Sequence, residues 1–167
     1  LYTETLMDLS QRVEDILQGA ALMTGTAVDA QWDEHPMSLP VRNNATLARR
    51  WGATQASRGR DVLPAGTLPD SQAASTDFGN VSHLVPGIHP LVKIAPEGTA
   101  LHTTDFAAAA ISDQAFEGAF DAAVGLAQTI ADILNDPQLL ADAQEEFRLA
   151  GGAISVEKLL AGAAEQP

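Results

Sequence analysis

Residues 75–106 read "STDFGNVSHLVPGIHPLVKIAPEGTALHTTDF". Three of the four histidines of this 167-residue chain lie in that stretch: His83, His89 and His102. They surround a loop that is rich in glycine and proline. Because histidine titrates near neutrality and is the commonest metal ligand in proteins, this stretch is the first candidate for a functional site.

The three histidines differ in their sequence settings. His102 follows an apolar run and a Pro-Glu-Gly turn, and it precedes an alanine-rich segment that is predicted to be helical. A side chain at such a junction can face a cleft, although a capping or surface histidine is the alternative interpretation. His83 and His89 are six residues apart and match no HExxH-type spacing. We interpret both as residues that form hydrogen bonds within a loop.

The polar residues just before His83 have two interpretations. Asp77 follows Ser75 and Thr76 and precedes Gly79 and Asn80. Residues of these types form ordinary Asx turns, and they also supply hydrogen bonds to polar ligands. The sequence pattern by itself favours neither interpretation.

Helices are predicted over much of the chain from hydrophobic residues spaced three and four apart. The predicted helices cover 4–22, 43–57, 104–111, 113–134 and 137–150. Gly25 and the pair Gly151-Gly152 are predicted helix ends, since glycine adopts the conformation that terminates a helix. Asp136 is a predicted N-cap with Pro137 at the first helical position.

Two strands are predicted. Alternating residues in 26–33 indicate a half-buried strand, and a short apolar run between prolines in 89–96 indicates a second one. Helices mixed with a few strands predict an α/β or α+β layered fold. Two strands are few for a self-sufficient sheet, which suggests a piece of a larger one.

Composition narrows the class of protein. The chain is 46% hydrophobic and 19% charged, with a net charge of −13 and no cysteine. The acidic balance disfavours nucleic acid and anionic membrane surfaces as partners. The absence of cysteine excludes disulfides and Cys-type zinc sites. No apolar run approaches the roughly 20 residues of a membrane span, so a soluble, cytoplasmic protein is expected.

The motif "ASTDFGNVSHLVPGIHPLVKI", followed by "ALHTTDFAAAA", resembles the C-terminal part of the aminoacylase/carboxypeptidase G type of zinc metallopeptidases and amidohydrolases. It is most similar to the branch that includes the aminobenzoyl-glutamate hydrolases and the related dipeptidases. Ala74 stands where that branch usually has glycine. The segment "LMDLSQRVEDILQGAALMTGTAVD" resembles the end of the family's inserted lid domain, and "RNNATLARRW" resembles the helix by which the chain re-enters the catalytic domain.

This resemblance implies an α/β fold. Residues 37–167 would be the C-terminal part of a zinc-exopeptidase-like catalytic domain. Residues 1–36 would be the last helix and strand of a ferredoxin-like lid domain, which commonly mediates a homodimer. The implied activity is hydrolysis of an amide bond in an N-acyl amino acid, a dipeptide or a related small molecule. The implied cofactor is zinc or another divalent metal such as manganese or cobalt.

The resemblance also assigns roles to individual residues. The histidine of the family's His-Thr-x-x-Phe motif is a metal ligand and corresponds to His102. The loop that lies near the substrate corresponds to Ser75, Thr76, Asp77 and Asn80.

The family's remaining site residues have no counterpart in this chain. Its His-x-Asp segment, bridging acid, Glu-Glu pair and catalytic glutamate come from the N-terminal half. The only adjacent glutamates here, Glu145 and Glu146, lie on a predicted surface helix. The chain is therefore expected to be the C-terminal portion of such an enzyme, to hold no catalytic residue, and to be inactive without the missing N-terminal part.

An alternative comes from another class of protein. The amphipathic helices predicted at 4–22 and 113–134 each need a partner surface. A non-catalytic α-helical binding or assembly module with a structural histidine loop would also fit that pattern.

Overall fold

A computed structural model describes residues 3–31, 38–67 and 76–155 of the chain. The described residues form six helices and no β-strand. The helices are α1 (Thr3–Thr24), α2 (Ala45–Ser57), α3 (Phe78–Ser82), α4 (Thr104–Ala109), α5 (Asp113–Asn135) and α6 (Pro137–Leu149). The chain divides into two compact units. Unit 1 contains residues 1–42, 68–85 and 151–167, and unit 2 contains residues 43–67 and 86–150.

Unit 2 is built on the close approach of α2 to α5. Gly125 of α5 has no side chain, and a Cβ there would lie 2.2 Å from Nε2 of Gln55 and 2.6 Å from Nε1 of Trp51. Gln55 and Trp51 are both buried, and Nε2 of Gln55 donates to the main-chain carbonyl of Asp121 at 2.8 Å. Glycine at position 125 is thus what lets the two helices meet at this point.

Ion pairs fasten both ends of the same helix pair. The Asp121 carboxylate accepts from Nε of Arg58 and Nε of Arg60, each at 2.5 Å. These hydrogen bonds hold the pKa of Asp121 below its usual value of 3.8. Arg50, earlier in α2, pairs with Asp132, which lies later in α5. Because earlier residues of α2 meet later residues of α5, the two helices run antiparallel.

Helix α6 is held at both of its ends by local and long-range hydrogen bonds. Oδ1 of Asp136 accepts from the main-chain N–H of Gln138 at 2.9 Å, which confirms Asp136 as the N-cap before Pro137. Further along α6, the Glu146 carboxylate accepts from the N–H groups of Ala45 and Thr46 at 2.5 and 2.9 Å. A carboxylate at that position accepts from main-chain N–H groups that have no partner within the first turn of α2. Its negative charge also interacts favourably with the positive end of the α2 dipole.

Unit 1 centres on α3 and the segment that contains Leu39 and Pro40. A Cβ at Gly79 would lie 1.7 Å from the Leu39 carbonyl oxygen, so only glycine fits there. The Asn80 side chain accepts from the Leu39 N–H at 2.7 Å, and Oγ of Ser82 accepts from the Arg42 N–H at 2.9 Å. These contacts join stretches of chain about 40 residues apart in sequence.

Helix α1, also in unit 1, ends as its sequence predicts. Gly25 adopts a positive φ of 66°. The Thr26 N–H donates to the Ala21 carbonyl at 3.0 Å, which satisfies one of the last carbonyls of the helix. The helices predicted at 43–57, 104–111, 113–134 and 137–150 are likewise confirmed as α2, α4, α5 and α6.

Neither predicted strand is present in the described residues, so both predictions are corrected. The described part of the predicted 26–33 strand, residues 26–31, has no strand structure, and residues 89–96 have none either. The physical reason is that a strand exists only when a neighbouring strand accepts its hydrogen bonds, and the described residues supply no such neighbour. The α/β fold and the ferredoxin-like lid are therefore not confirmed in the described residues.

Helix α3 was not predicted from the sequence, whose residues 75–80 were interpreted as a loop. Five residues are too few for hydrophobic periodicity to show. The predicted domain boundary near Pro36 lies outside the described residues and stays a prediction.

The outer face of α5 is apolar and exposed. Phe116 and Leu134 are 74% and 78% exposed, and Phe120 and Ile130 are each more than half exposed. The opposite face buries small residues such as Ala115 and Gly118. Among the described residues, no helix has both the length and the apolar content that crossing a bilayer requires.

Candidate functional site

The candidate substrate loop begins at residue 76 in this structure, because Ser75 lies outside the described residues. Oγ1 of Thr76 accepts from the Phe78 N–H at 3.3 Å, which is the hydrogen bond of an ST turn. The Asp77 side chain is exposed and does not cap α3. Its carboxylate therefore remains accessible to a cationic or hydrogen-bonding ligand.

Asn80 has a structural contact as well as a predicted binding role. Its Oδ1 atom accepts the Leu39 N–H at 2.7 Å, and the residue is half-buried. Ser82, fully buried nearby, donates to the Gly79 carbonyl at 2.6 Å. These bonds hold the loop rigidly against the main chain of unit 1. Such a support is what a binding loop needs if its exposed groups are to stay in place.

His83 forms hydrogen bonds of the kind predicted for a loop histidine. The residue is 7% exposed, and Nε2 lies 3.1 Å from the Pro40 carbonyl oxygen, which assigns the proton to Nε2 because a carbonyl only accepts. Nδ1 is buried and has no partner in the described part of the chain. The His83 carbonyl accepts from the Ile154 N–H at 2.8 Å.

His102 has the most unusual backbone of the three. Its φ is +60°, and it is the only non-glycine residue in the described ranges with a positive φ. The residue is exposed and lies immediately before Thr103, whose Oγ1 caps α4 by accepting the Phe106 N–H at 3.2 Å. Residues held in sparsely populated conformations cost about 1–3 kcal/mol and cluster at functional sites.

The third histidine of the stretch, His89, is exposed. Its main-chain N–H donates to Oδ1 of Asn43 at 2.9 Å within unit 2. This main-chain hydrogen bond helps to fix the entry of the chain into α2.

The described residues do not form a complete metal site. No group of three or more His, Asp or Glu side chains in residues 3–31, 38–67 and 76–155 is placed to hold a metal ion. Catalytic zinc takes about three protein ligands, and His102 can supply one. The Glu145-Glu146 pair is engaged elsewhere: Glu145 binds Arg148 at 2.7 Å, and Glu146 caps α2.

The candidate residues are divided between the two units. Thr76, Asp77 and Asn80 belong to unit 1, and His102 belongs to unit 2. That they line one groove stays a prediction. The sequence carried no signal for the left-handed backbone of His102, because glycine and not histidine is the residue that usually marks such a position.

Comparison with known proteins found two curated relatives of this chain. It is 34% identical over 143 residues to the Xaa-Arg dipeptidase of Mus musculus, and 33% identical over 144 residues to the Xaa-Arg dipeptidase of Homo sapiens. Each match covers 86% of this chain and 33% of the relative, so the chain spans about a third of the relatives' length. No protein-family model matches the chain, and no solved structure is significantly similar to it.

Proposed function

We propose that this chain, which is related to the amidohydrolases of the aminoacylase and dipeptidase type, is the C-terminal portion of a metal-dependent dipeptidase. The observation that carries the proposal is the match itself, which runs through 86% of this chain at 34% identity. The relatives are about three times as long as the matched part. The missing ligands and the catalytic glutamate would therefore come from a part of the enzyme that this chain does not contain.

The proposed substrates are dipeptides with a C-terminal arginine, as the names of the two relatives indicate. Charge supports this choice. The chain carries a net charge of −13, and an acidic surface raises the local concentration of cationic substrates. The exposed Asp77 carboxylate is the group in the candidate loop that would attract a guanidinium.

His102 is proposed as one ligand of a zinc, manganese or cobalt ion, and the 75–80 loop as part of the substrate-binding wall. A metal in such a site supplies Lewis-acid chemistry toward the scissile carbonyl. The support for His102 is its exposed ring, its strained backbone and its place in the His-Thr-x-x-Phe motif. The proposed intact enzyme has an α/β catalytic domain and a ferredoxin-like lid, forms a homodimer through the lid and works in the cytoplasm.

A second candidate is the non-catalytic assembly module. The exposed apolar face of α5 favours it, because such a face needs a partner surface. The two candidates differ in one respect that can be measured. If the chain is an assembly module, neither this chain nor the full-length protein hydrolyses dipeptides. If it is part of a dipeptidase, the full-length protein does.

The test uses the full-length product of the gene that encodes this chain, assayed with Xaa-Arg dipeptides and each of the three metals. We expect turnover in the parent protein. His102→Ala should lower turnover by more than about 100-fold, because even the outer hydrogen-bond partners of metal ligands are worth about 10–100-fold. His89→Ala is the matched control, since that histidine is also exposed and the variant keeps the main-chain hydrogen bond to Asn43.

Thermal unfolding completes the comparison. Both histidine side chains are exposed, so both variants should keep the parent's midpoint within the small range typical of surface substitutions. A His102→Ala enzyme with normal turnover and full metal occupancy would refute the ligand assignment. A parent protein that hydrolyses no dipeptide with any of the metals would refute the dipeptidase proposal.

A further inference from the structure

Helix α2 and the turn after it carry the main basic segment of an otherwise acidic chain. Four of the nine lysine and arginine residues lie there, and residues 43–60 contain no aspartate or glutamate. Within unit 2, a cleft of about 400 Å³ lies between α2 and α5. Small-molecule sites typically have volumes of about 300–1,000 Å³. The polar residues that line the cleft are Arg50, Thr54, Ser57, Arg58 and Gln128.

Arg58 is held by two contacts that leave its terminal nitrogens free. Its Nε donates to Oδ1 of Asp121 at 2.5 Å, and its guanidinium carbon lies 5.4 Å from the centre of the Phe120 ring. Among the described residues, nothing accepts a hydrogen bond from Nη1 or Nη2 of Arg58. A guanidinium that is fixed in place and keeps both terminal nitrogens free is suited to binding a carboxylate or a phosphate.

The charge around Arg58 is only partly neutralised. The Asp121 carboxylate also accepts from Nε of Arg60 at 2.5 Å, so two guanidinium groups share one carboxylate and a net charge of +1 remains. The net charge of −13 on the whole chain repels anions at long range, but salt screens charges beyond about 8 Å at physiological ionic strength. The arginines nearest to the cleft therefore determine the sign of the local field.

Arg50 and Thr54 supply further hydrogen-bond donors. Arg50 pairs with Asp132, and its Nη1 donates to Oγ1 of the buried Thr54 at 3.3 Å. Because this oxygen is the acceptor in that bond, the Thr54 hydroxyl hydrogen can donate to a ligand. In the described part of the chain, no carboxylate lines the cleft, and the neighbouring Asp121 and Asp132 are already bound by arginine. The lining therefore favours an anion over a cation.

We propose that the cleft between α2 and α5 binds a small molecule that carries a carboxylate or phosphate group. Arg58 is its principal contact, and Arg50 and Thr54 are further donors. The competing interpretation is that the arginines only join α2 to α5, a role that accounts for Nε of Arg58 but not for its two free terminal nitrogens. The proposal is independent of the proposed function, because no residue of the candidate loop lines the cleft and neither does His102.

Isothermal titration calorimetry tests the proposal, with inorganic phosphate and succinate as the two probes. Each probe is titrated into this chain and into the full-length gene product. We expect saturable binding of at least one probe to both proteins, and the tighter probe identifies the group that the cleft recognises. Affinity should fall as sodium chloride is added, since salt screens the arginine charges.

A matched pair of glutamine variants locates the binding. Gln128→Glu adds a negative charge to the cleft and keeps both arginines. Gln138→Glu is the control outside the cleft. Both glutamines are exposed, and each donates from Nε2 to an aspartate four residues later, at 2.9 Å for Gln128 and 2.7 Å for Gln138. We expect affinity to fall at least about 5-fold in Gln128→Glu, through charge repulsion, and to stay unchanged in Gln138→Glu.

A second pair removes one arginine at a time. Arg58→Gln should weaken binding about 10-fold or more, because hydrogen bonds to charged groups are the strong ones. Arg49→Gln makes the same charge change on α2 at an exposed position outside the cleft and should have little effect. Circular dichroism checks that each variant keeps its helices, and the glutamine pair decides the question if Arg58→Gln does not fold.

Three results would overturn the proposal. The first is that neither probe shows saturable binding to the parent chain. The second is binding to this chain but not to the full-length protein, which would mean that the rest of the polypeptide covers the cleft. The third is an equal change of affinity in Gln128→Glu and Gln138→Glu, which would mean that the probes bind elsewhere on the molecule.

Discussion

Gly125→Ala should destabilise unit 2, although alanine is the better helix former. A Cβ at this position would lie 2.2 Å from Nε2 of Gln55 and 2.6 Å from Nε1 of Trp51. Both atoms belong to buried side chains of α2, so neither can swing into solvent. The two helices would have to move apart, and the bond from Gln55 to the Asp121 carbonyl would stretch.

The magnitude follows from three opposing contributions. Overpacking a well-filled interior costs about 1–3 kcal/mol. Loss of the Gln55 hydrogen bond costs about 1 kcal/mol, and replacing glycine by alanine inside a helix returns about 1 kcal/mol. The free energy of unfolding should therefore fall by about 1–3 kcal/mol. For a chain of this size the midpoint would fall by about 2–4 °C for each kcal/mol.

Gly19→Ala is the matched control. Gly19 also lies inside a helix, α1, but nothing lies within 4 Å of the position that its Cβ would occupy. This variant should gain about 0.5–1 kcal/mol from helix propensity alone.

Urea unfolding followed by circular dichroism would measure both variants. Trp51 fluorescence in a Trp32→Phe background would report on the α2–α5 contact. Gly125→Ala should perturb Trp51 and Gly19→Ala should not. If Gly125→Ala proves as stabilising as Gly19→Ala, the close approach of α2 and α5 is wrong.

Two further predictions concern charge and exposed apolar surface. Hydrogen bonds from Arg58 and Arg60 lower the pKa of Asp121, so its stabilisation is present above the unfolded-state pKa, near 3.8, and is lost as the pH falls through the lower folded-state value. Asp121→Asn should therefore lower the thermal midpoint at pH 7, with the difference from the parent shrinking below about pH 3.8, whereas Asp61→Asn at an exposed position should change little at either pH. Replacing Phe116 and Ile130 by glutamine should reduce binding of the dye ANS to this chain and shift the midpoint little, because both side chains are more than half exposed. Undiminished dye binding in that double variant would show that the apolar surface lies elsewhere.

Part of the candidate site was accessible from sequence, and part was not. The motif resemblance singled out the loop around Asp77 and the histidine at position 102, and the similarity to two Xaa-Arg dipeptidases supports the relationship on which that choice was based. The roles of these residues stay predictions. The left-handed backbone of His102 had no sequence signal, because glycine is the residue that usually marks such a position. The bond from the Leu39 N–H to Asn80 had none either, because it joins residues that the chain brings together only on folding.

The sequence by itself determined every described helix except α3, and several of the helix ends. Asp136 before Pro137 predicted the start of α6, and Gly25 predicted the end of α1, because caps and hydrophobic periodicity act over a few residues. Tertiary structure decided whether the apolar run in 91–95 would be a strand. A strand needs a neighbouring strand to accept its hydrogen bonds, and no local pattern determines whether one is present.

The glycines show the same division. Gly79 and Gly125 look in sequence like any other glycine in a loop or a helix. Only the folded chain shows that one sits against the Leu39 carbonyl and the other against Gln55 and Trp51. Close packing between distant segments is a property of the three-dimensional arrangement. A position that requires glycine because no side chain fits there is therefore recognised only when its neighbours in space are known.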